Sequence, residues 1–144
     1  MLYLIKDFSD QFLRYLQEDP VRPHIPVTDR IGEGKQIFLL PEDESVQAIT
    51  CVSYNNYVPS TEQELFNINQ QHSVAIFYTI WSYKPGAGRQ LILDSVNYLK
   101  ENKPGIKRFV TLSPKTEMAK KFHLKNGAII LRENSDTINY EYLM

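Results

Sequence analysis

One cysteine, Cys51, is too few for an internal disulfide, which excludes a disulfide-stapled secreted scaffold and fits a reducing compartment. It stands in an apolar run and is expected to be a small buried filler. No stretch is long and apolar enough for a transmembrane helix. Met1-Leu-Tyr-Leu-Ile5 lacks the basic flank and small-residue cleavage site of a signal peptide, and is expected as a first strand. An excess of charge is missing too: 16 Lys and Arg against 17 Asp and Glu give a net charge of −1. The basic residues are scattered, so neither a nucleic acid nor a membrane surface is an expected partner. Three histidines beside one cysteine form no metal-type cluster. The strands expected at 46–54 and 74–83 hold no Asp or Glu. A carboxylate base is therefore not aimed from them, which disfavours chemistry that begins by deprotonating an amine. These absences leave a globular, cytoplasmic protein as the expectation.

The 144 residues, 42% hydrophobic and 23% charged, suit one domain over 1–144 with a single core. Phe8, Phe12, Leu13 and Leu16 recur at helical spacing and predict a helix over 8–18. Pro20, Pro23 and Pro26 forbid regular structure after it. Strands are predicted at 36–40 and 46–54, joined by the polar turn Pro41-Glu-Asp-Glu-Ser45. Thr61-Glu-Gln-Glu64 has the form of a capping box before a short helix. Residues 74–81 are apolar almost throughout, as a strand covered on both faces is, and belong at the sheet centre. Ile92, Val96 and Leu99 mark a helix over 88–102, and 107–112 a fifth strand. Met118, Ala119 and Phe122 mark another helix, with Gly127 at its C′ position. Residues 128–131 and 137–143 close the chain as a hairpin. The order β-α-β-β-(α)-β-α-β-α-β-β defines an α/β (α+β) protein. It predicts a mixed central sheet of six to seven strands with three to four helices, and a right-handed crossover in its middle.

Gly86 and Gly88, in Lys84-Pro-Gly-Ala-Gly-Arg89, follow the central strand and open a helix. Glycines let backbone N–H groups approach a ligand closely. The helix N-terminus adds unpaired donors and partial positive charge, which suit a pyrophosphate, and Lys84 and Arg89 add more. The same composition also serves a plain strand-to-helix connection. Downstream, Thr111 and Ser113 alternate with Leu112 at a strand end, so their hydroxyls share a face. His123 stands nine positions after Pro114. A Ser before a helix is more commonly a cap or turn residue, and a lone His at the edge of an apolar stripe is more often a satisfied or surface histidine than a catalyst. At its ordinary pKa of ~6.5 the imidazole would exchange protons near neutrality. The three parts in this order suggest a site where a phosphate-bearing thioester binds and a Ser/Thr–His pair acts on its acyl group.

The element order and glycine turn resemble the GNAT superfamily of acyl-CoA enzymes. Four segments resemble the malonyl-CoA decarboxylases, whose catalytic domain has that fold. Ser73-Val-Ala-Ile-Phe-Tyr-Thr-Ile80 is similar to their A-I-F-Y-S-I strand, and Ile106-Lys-Arg-Phe-Val-Thr-Leu-Ser-Pro114 to I-K-x-F-x-T-L-S-P. Phe122-His-Leu-Lys-Asn-Gly-Ala128 is similar to Y-H-L-R-N-G-A, and Asn139-Tyr-Glu-Tyr142 to N-Y-x-Y. The similarity covers roughly the last two-thirds of the chain. It implies a GNAT-like fold, a coenzyme A thioester as substrate, no tightly bound cofactor and no metal, with a homo-oligomer left open. It gives Ser113 the active hydroxyl and His123 the active imidazole, with Thr111 sharing the hydroxyl role and Tyr140 in the same cleft. Ile80, Trp81, Tyr83, Lys84, Gly86, Ala87, Gly88 and Arg89 are the expected coenzyme-binding residues. The alternatives are an N-acetyltransferase, in which His123 replaces the usual tyrosine acid, and a non-catalytic acyl-CoA-binding module. The sequence holds neither the decarboxylases' N-terminal helical domain nor their long insertion before H-L-x-N-G-A. Tyr83 stands where the general GNAT motif opens with Arg or Gln.

Overall fold

Period-two alternation sets the architecture. In Ile37-Phe38-Leu39-Leu40 all four side chains are buried, Ile37 and Leu39 in one core cluster and Phe38 and Leu40 in another. A strand buried on both faces needs a layer on each side. The computed structural model, which describes residues 1–67 and 70–144, supplies both layers. The strands are β1 (Tyr3–Ile5), β2 (Lys35–Glu42), β3 (Ser45–Asn55), β4 (Val74–Ser82), β5 (Arg108–Thr111), β6 (Ser113–Pro114), β7 (Ile129–Glu133) and β8 (Thr137–Tyr142). The α-helices are α1 (Ala87–Asn102) and α2 (Glu117–Lys125), and 3₁₀ turns occupy Leu13–Glu18, Val27–Asp29 and Glu62–Phe66. The sheet runs β1-β2-β3-β4-β5-β8-β6, with β7 on β8. Every pairing is antiparallel except β4 with β5, which α1 connects. α1 packs its Leu91, Ile92, Val96 and Leu99 on one face. Phe12, Leu16, Ile25 and Leu65 cover the other from the irregular N-terminal region and the 62–66 turn.

Two features depart from the expected elements. The helix predicted over 8–18 is only the 3₁₀ turn Leu13–Glu18, preceded by turns. Aspartates divert the backbone: Asp7 Oδ1 accepts from the Ser9 N–H at 3.0 Å and Asp10 Oδ1 from the Phe12 N–H at 2.9 Å. Such local bonds compete with the helical ladder. Phe12 and Leu16 are still buried, whereas Phe8 is exposed. The sheet also has one strand more than the expected maximum. Leu112 interrupts the fifth strand, and both pieces, β5 and β6, pair with β8. The capping box forms: Glu64 Oε1 accepts from the Thr61 N–H at 3.1 Å and the Ser60 N–H at 2.9 Å, opening a 3₁₀ turn rather than an α-helix. Among the described residues no helix is long and apolar enough to cross a membrane.

The part that matters for function is β4. Its pairing with β3 steps from Val52↔Phe77 to Cys51↔Thr79, so Tyr78 has no partner and forms a β-bulge. The bulge shifts the alternation: Val74, Ile76 and Tyr78 face one core, but Trp81 rather than Ile80 continues that face. On its other edge β4 pairs with β5 only as far as Phe77↔Thr111. Beyond that register β4 and β6 diverge, and among the described residues no strand pairs with 78–82 of β4 on that side.

Candidate active site

A cleft of about 570 Å³ opens where the strands diverge. Ile80, Trp81 and Ser82 line it from β4, Ser113 and Pro114 from β6, Gly88 from α1, and Thr116, Ala119, Phe122 and His123 from α2 and its cap. Pro20 and Val21 close the far side. Of the residues singled out from sequence, Ile80, Trp81, Gly88, Ser113 and His123 come together here. Thr111 and Tyr140 lie fully buried behind the cleft, and Tyr83, Lys84, Gly86, Ala87 and Arg89 are outside its lining.

Ser113 is free to serve because the helix takes another cap. Thr116 Oγ1 accepts from the Ala119 N–H at 3.2 Å. Ser113 Oγ bonds Thr111 Oγ1 at 2.8 Å, and Thr111 Oγ1 also accepts from the Tyr140 N–H at 3.0 Å. Thr111, expected to share the hydroxyl role, is thus buried behind Ser113 and hydrogen-bonded to it. Tyr140 lies under the imidazole, its ring stacked on His123 at 5.0 Å. Its own hydroxyl is sealed from solvent with no partner among the described residues.

His123 is neither at the surface nor at its ordinary pKa. It is the one buried residue of α2, whereas Met118, expected on the inner stripe, is exposed. Burial pushes its pKa down to about 4. Its Nδ1 lies 2.7 Å from the Tyr142 hydroxyl. Burial raises the Tyr142 pKa, so the phenol keeps its proton. Nδ1 is that hydroxyl's one partner among the described residues. With the phenol donating to Nδ1, the proton of the neutral ring sits on Nε2. Nε2 has no protein partner among the described residues, and no hydrogen bond joins Ser113 to His123. The two side chains line one cleft without bonding each other, and Ser113 Oγ donates to Thr111 Oγ1.

The glycine turn also differs from expectation. Gly86 is the N-cap with φ +82°, a left-handed conformation that favours glycine. No acidic side chain sits in the first turn of α1, and the N–H groups of Gly88 and Arg89 have no acceptor among the described residues. The end of α1 thus presents backbone donors of the kind that suit an anion. Lys84, however, is paired with Glu42, and Tyr83 turns away, its hydroxyl bonding Trp81 Nε1 at 3.0 Å and Glu18 at 2.5 Å. Gly88 is small for packing: a Cβ there would lie 3.0 Å from the Phe122 ring. Gly88→Ala is therefore expected to destabilise the fold by about 1–3 kcal/mol in urea titration. Part of that loss should return in a Phe122→Leu background, and the cycle measures the coupling.

A pH effect on stability follows from His123. Its folded pKa of about 4 lies below the unfolded value of ~6.5, so the unfolded chain takes the proton first. The contribution is whole above pH 6.5 and is lost as pH falls towards 4, at a cost of about 3 kcal/mol. His123→Gln should lose less stability than the parent between pH 7 and pH 4.5. Equal losses in both proteins would assign the acid sensitivity elsewhere.

A buried ionic cluster, which sequence reasoning missed, stands behind Pro20 and Val21. Asp19, Arg22 and Arg30 are all buried. Asp19 Oδ1 accepts from the N–H groups of Val21 (2.8 Å) and Arg22 (3.0 Å) and from Thr79 Oγ1 (2.8 Å). Its Oδ2 accepts from Arg30 Nη1 at 2.8 Å. Burial alone would raise the Asp19 pKa, but the donors of Arg22, Arg30, Thr79 and Val21 outweigh it and hold the carboxyl below its usual range. Cys51 lies in the same core, its thiol pushed up to about 11 by burial, which makes it an inert filler.

Comparison with known proteins bears on the fold. No protein-family model matches the chain, and no curated protein matches it in sequence. Solved structures do match. Malonyl-CoA decarboxylase from Agrobacterium vitis superposes with a TM-score of 0.71 at 21% identity, over 85% of this chain and 35% of that one. The Cupriavidus metallidurans decarboxylase gives 0.75 at 16%, over 99% and 60%. The PaiA N-acetyltransferase of Thermoplasma acidophilum, solved with coenzyme A, gives 0.63 at 10%, over 99% and 98%. The fold is therefore GNAT-like and matches part of the malonyl-CoA decarboxylases, of whose length this chain spans about a third to three-fifths.

Proposed function

We propose that the protein is an acyl-CoA-dependent enzyme of the malonyl-CoA decarboxylase type. The carrying observation is a buried imidazole, hydrogen-bonded to Tyr142 through Nδ1, in the same cleft as Ser113, where β4 and β6 diverge; with Tyr142 as the donor, its Nε2–H is free. The pantetheine arm enters between the diverging strands, and the pyrophosphate sits at the N-terminus of α1. The bond between the malonyl carboxylate and its α-carbon breaks, CO₂ leaves, and the electron pair passes to the thioester carbonyl as an enolate. His123 Nε2–H and a backbone N–H near Ile80 stabilise that oxygen, each donor being worth about 2.7–4 kcal/mol. Ser113 orients the departing carboxylate and relays a proton from water to the α-carbon, which leaves the acetyl thioester. The thioester is the electron sink.

A neutral donor suits this reaction better than acid catalysis, because charge develops on oxygen before any proton arrives. One observation favours N-acetyltransfer as a second reading. A second recess of about 370 Å³ adjoins the cleft, sharing Val21 and Pro114. It holds Glu62, whose Oε2 lies 2.6 Å from His24 Nε2, a carboxylate–imidazole pair of the kind that deprotonates an amine. Incubation with malonyl-CoA and, separately, acetyl-CoA plus amines separates the readings. CO₂ without an acceptor supports decarboxylation, and thiol release that requires an amine supports transfer. Binding without either product leaves an acyl-CoA-binding module.

A further inference from the structure

The bulge in β4 lies where the strand loses β5, and a side chain from a distant loop fills the gap. Arg22 is 5% exposed, although it comes from a proline-rich segment without regular structure. Its Nη1 donates to the carbonyl of Tyr78, the bulge residue, and its Nε donates to Glu62 Oε1 at 2.9 Å. Asp19 fastens both ends of this contact. It accepts from the Arg22 N–H at 3.0 Å and, through the same oxygen, from Thr79 Oγ1 at 2.8 Å. Thr50 Oγ1 donates to the next carbonyl, Thr79, at 2.8 Å.

We infer that Arg22 is a positioning residue for the cleft: it fixes the peptide plane between Tyr78 and Thr79 and so sets the course of residues 79–81, which form the cleft wall. A peptide group is rigid, so a bond that fixes the carbonyl also fixes the attached N–H and the direction in which the chain leaves. At an ordinary strand position the neighbouring strand does this. Here pairing with β5 has ended at Phe77 and β3 skips Tyr78, so neither neighbour holds that residue in register. A guanidinium serves because its planar fork meets a carbonyl and a carboxylate at once and stays charged when buried. Lysine, a single point donor, cannot hold both Tyr78 and Glu62 in that geometry. Burial lowers the Arg22 pKa, opposed by Glu62, and a bare apolar replacement would leave Glu62 with His24 alone.

The structural half of this inference stands on the contacts, and the catalytic half rests on the proposed reading of the cleft. The test uses the full chain with Arg22→Met and Arg22→Lys. Amide hydrogen exchange should speed up in 78–82 and stay unchanged in α1. With malonyl-CoA as substrate, kcat should fall by about 10²-fold with KM little changed, the effect of a wall displaced by about an ångström. Added guanidinium ion should return part of the lost rate to Arg22→Met but not to Arg22→Lys. Unchanged exchange in 78–82 would overturn the inference, as would exchange that rises equally in α1, since Arg22 would then support the whole fold. If the parent protein turns over no thioester but exchange still responds locally, the proposed function falls and the positioning role stands. Should Arg22→Met not fold, Arg22→Lys carries the same exchange measurement.

Discussion

Replacing His123 by alanine is expected to lower thioester turnover by about 10²–10³-fold while changing acyl-CoA affinity little. In the proposed reading the ring meets the thioester mainly through one donor, and that donor gains strength only as negative charge grows on the thioester oxygen. Its orientation is set from behind, by the Tyr142 hydroxyl on Nδ1 and by the stacked Tyr140 ring. Tyr142→Phe should therefore give a smaller loss than His123→Ala, because it frees the tautomer without removing the ring. The pH profile separates this role from general acid catalysis. An imidazole with a pKa of about 4 is already neutral through the physiological range. Turnover should then show no decline between pH 6 and pH 8 that vanishes in His123→Ala. A His-dependent decline centred near pH 6.5 would mean that the charged ring is the active form and would sink the neutral-donor mechanism.

How much of this was legible in the sequence depends on the range of each interaction. Strand β4 announced itself because 74–81 is apolar on both faces, and α1 because Ile92, Val96 and Leu99 repeat at helical spacing. Ser113 and His123 stood out through short local motifs, and both line the cleft. What holds them was not. The partner of His123 is Tyr142, nineteen positions on, and the support of Ser113 is joined to the backbone of Tyr140. Periodicity carries no signal for such pairs. The predicted 8–18 helix failed for the opposite reason: a correct apolar spacing was overruled by Asp7 and Asp10 bonding their own neighbours. Gly88 was assigned a ligand role from composition, whereas part of its value is room for Phe122, a residue of another helix. Asp19, Arg22 and Arg30 gave no signal at all. Isolated charges among prolines look like a solvated loop, and only the fold brings them to β4.

That buried cluster carries the second large effect. Asp19→Ala is expected to destabilise the protein by about 3–5 kcal/mol, a large fraction of the stability of a chain this size. The carboxylate is fully enclosed and receives four donors, among them the Arg30 guanidinium, which is itself 1% exposed. Truncation leaves that guanidinium buried with carbonyls of Arg22 and Ile25 but no counter-charge, and it orphans two backbone N–H groups and the Thr79 hydroxyl. The penalty comes from the abandoned partners more than from the lost pair. A paired change, Asp19→Asn with Arg30→Met, should therefore cost less than Asp19→Ala alone. The asparagine oxygen still accepts from the N–H groups of residues 21 and 22, and the methionine fills the guanidinium's space without its charge. Urea denaturation of the three proteins reads the difference. If Asp19→Ala loses less than about 1 kcal/mol, the typical ceiling for an exposed pair, water reaches the cluster and the segment over the cleft is not pinned by it.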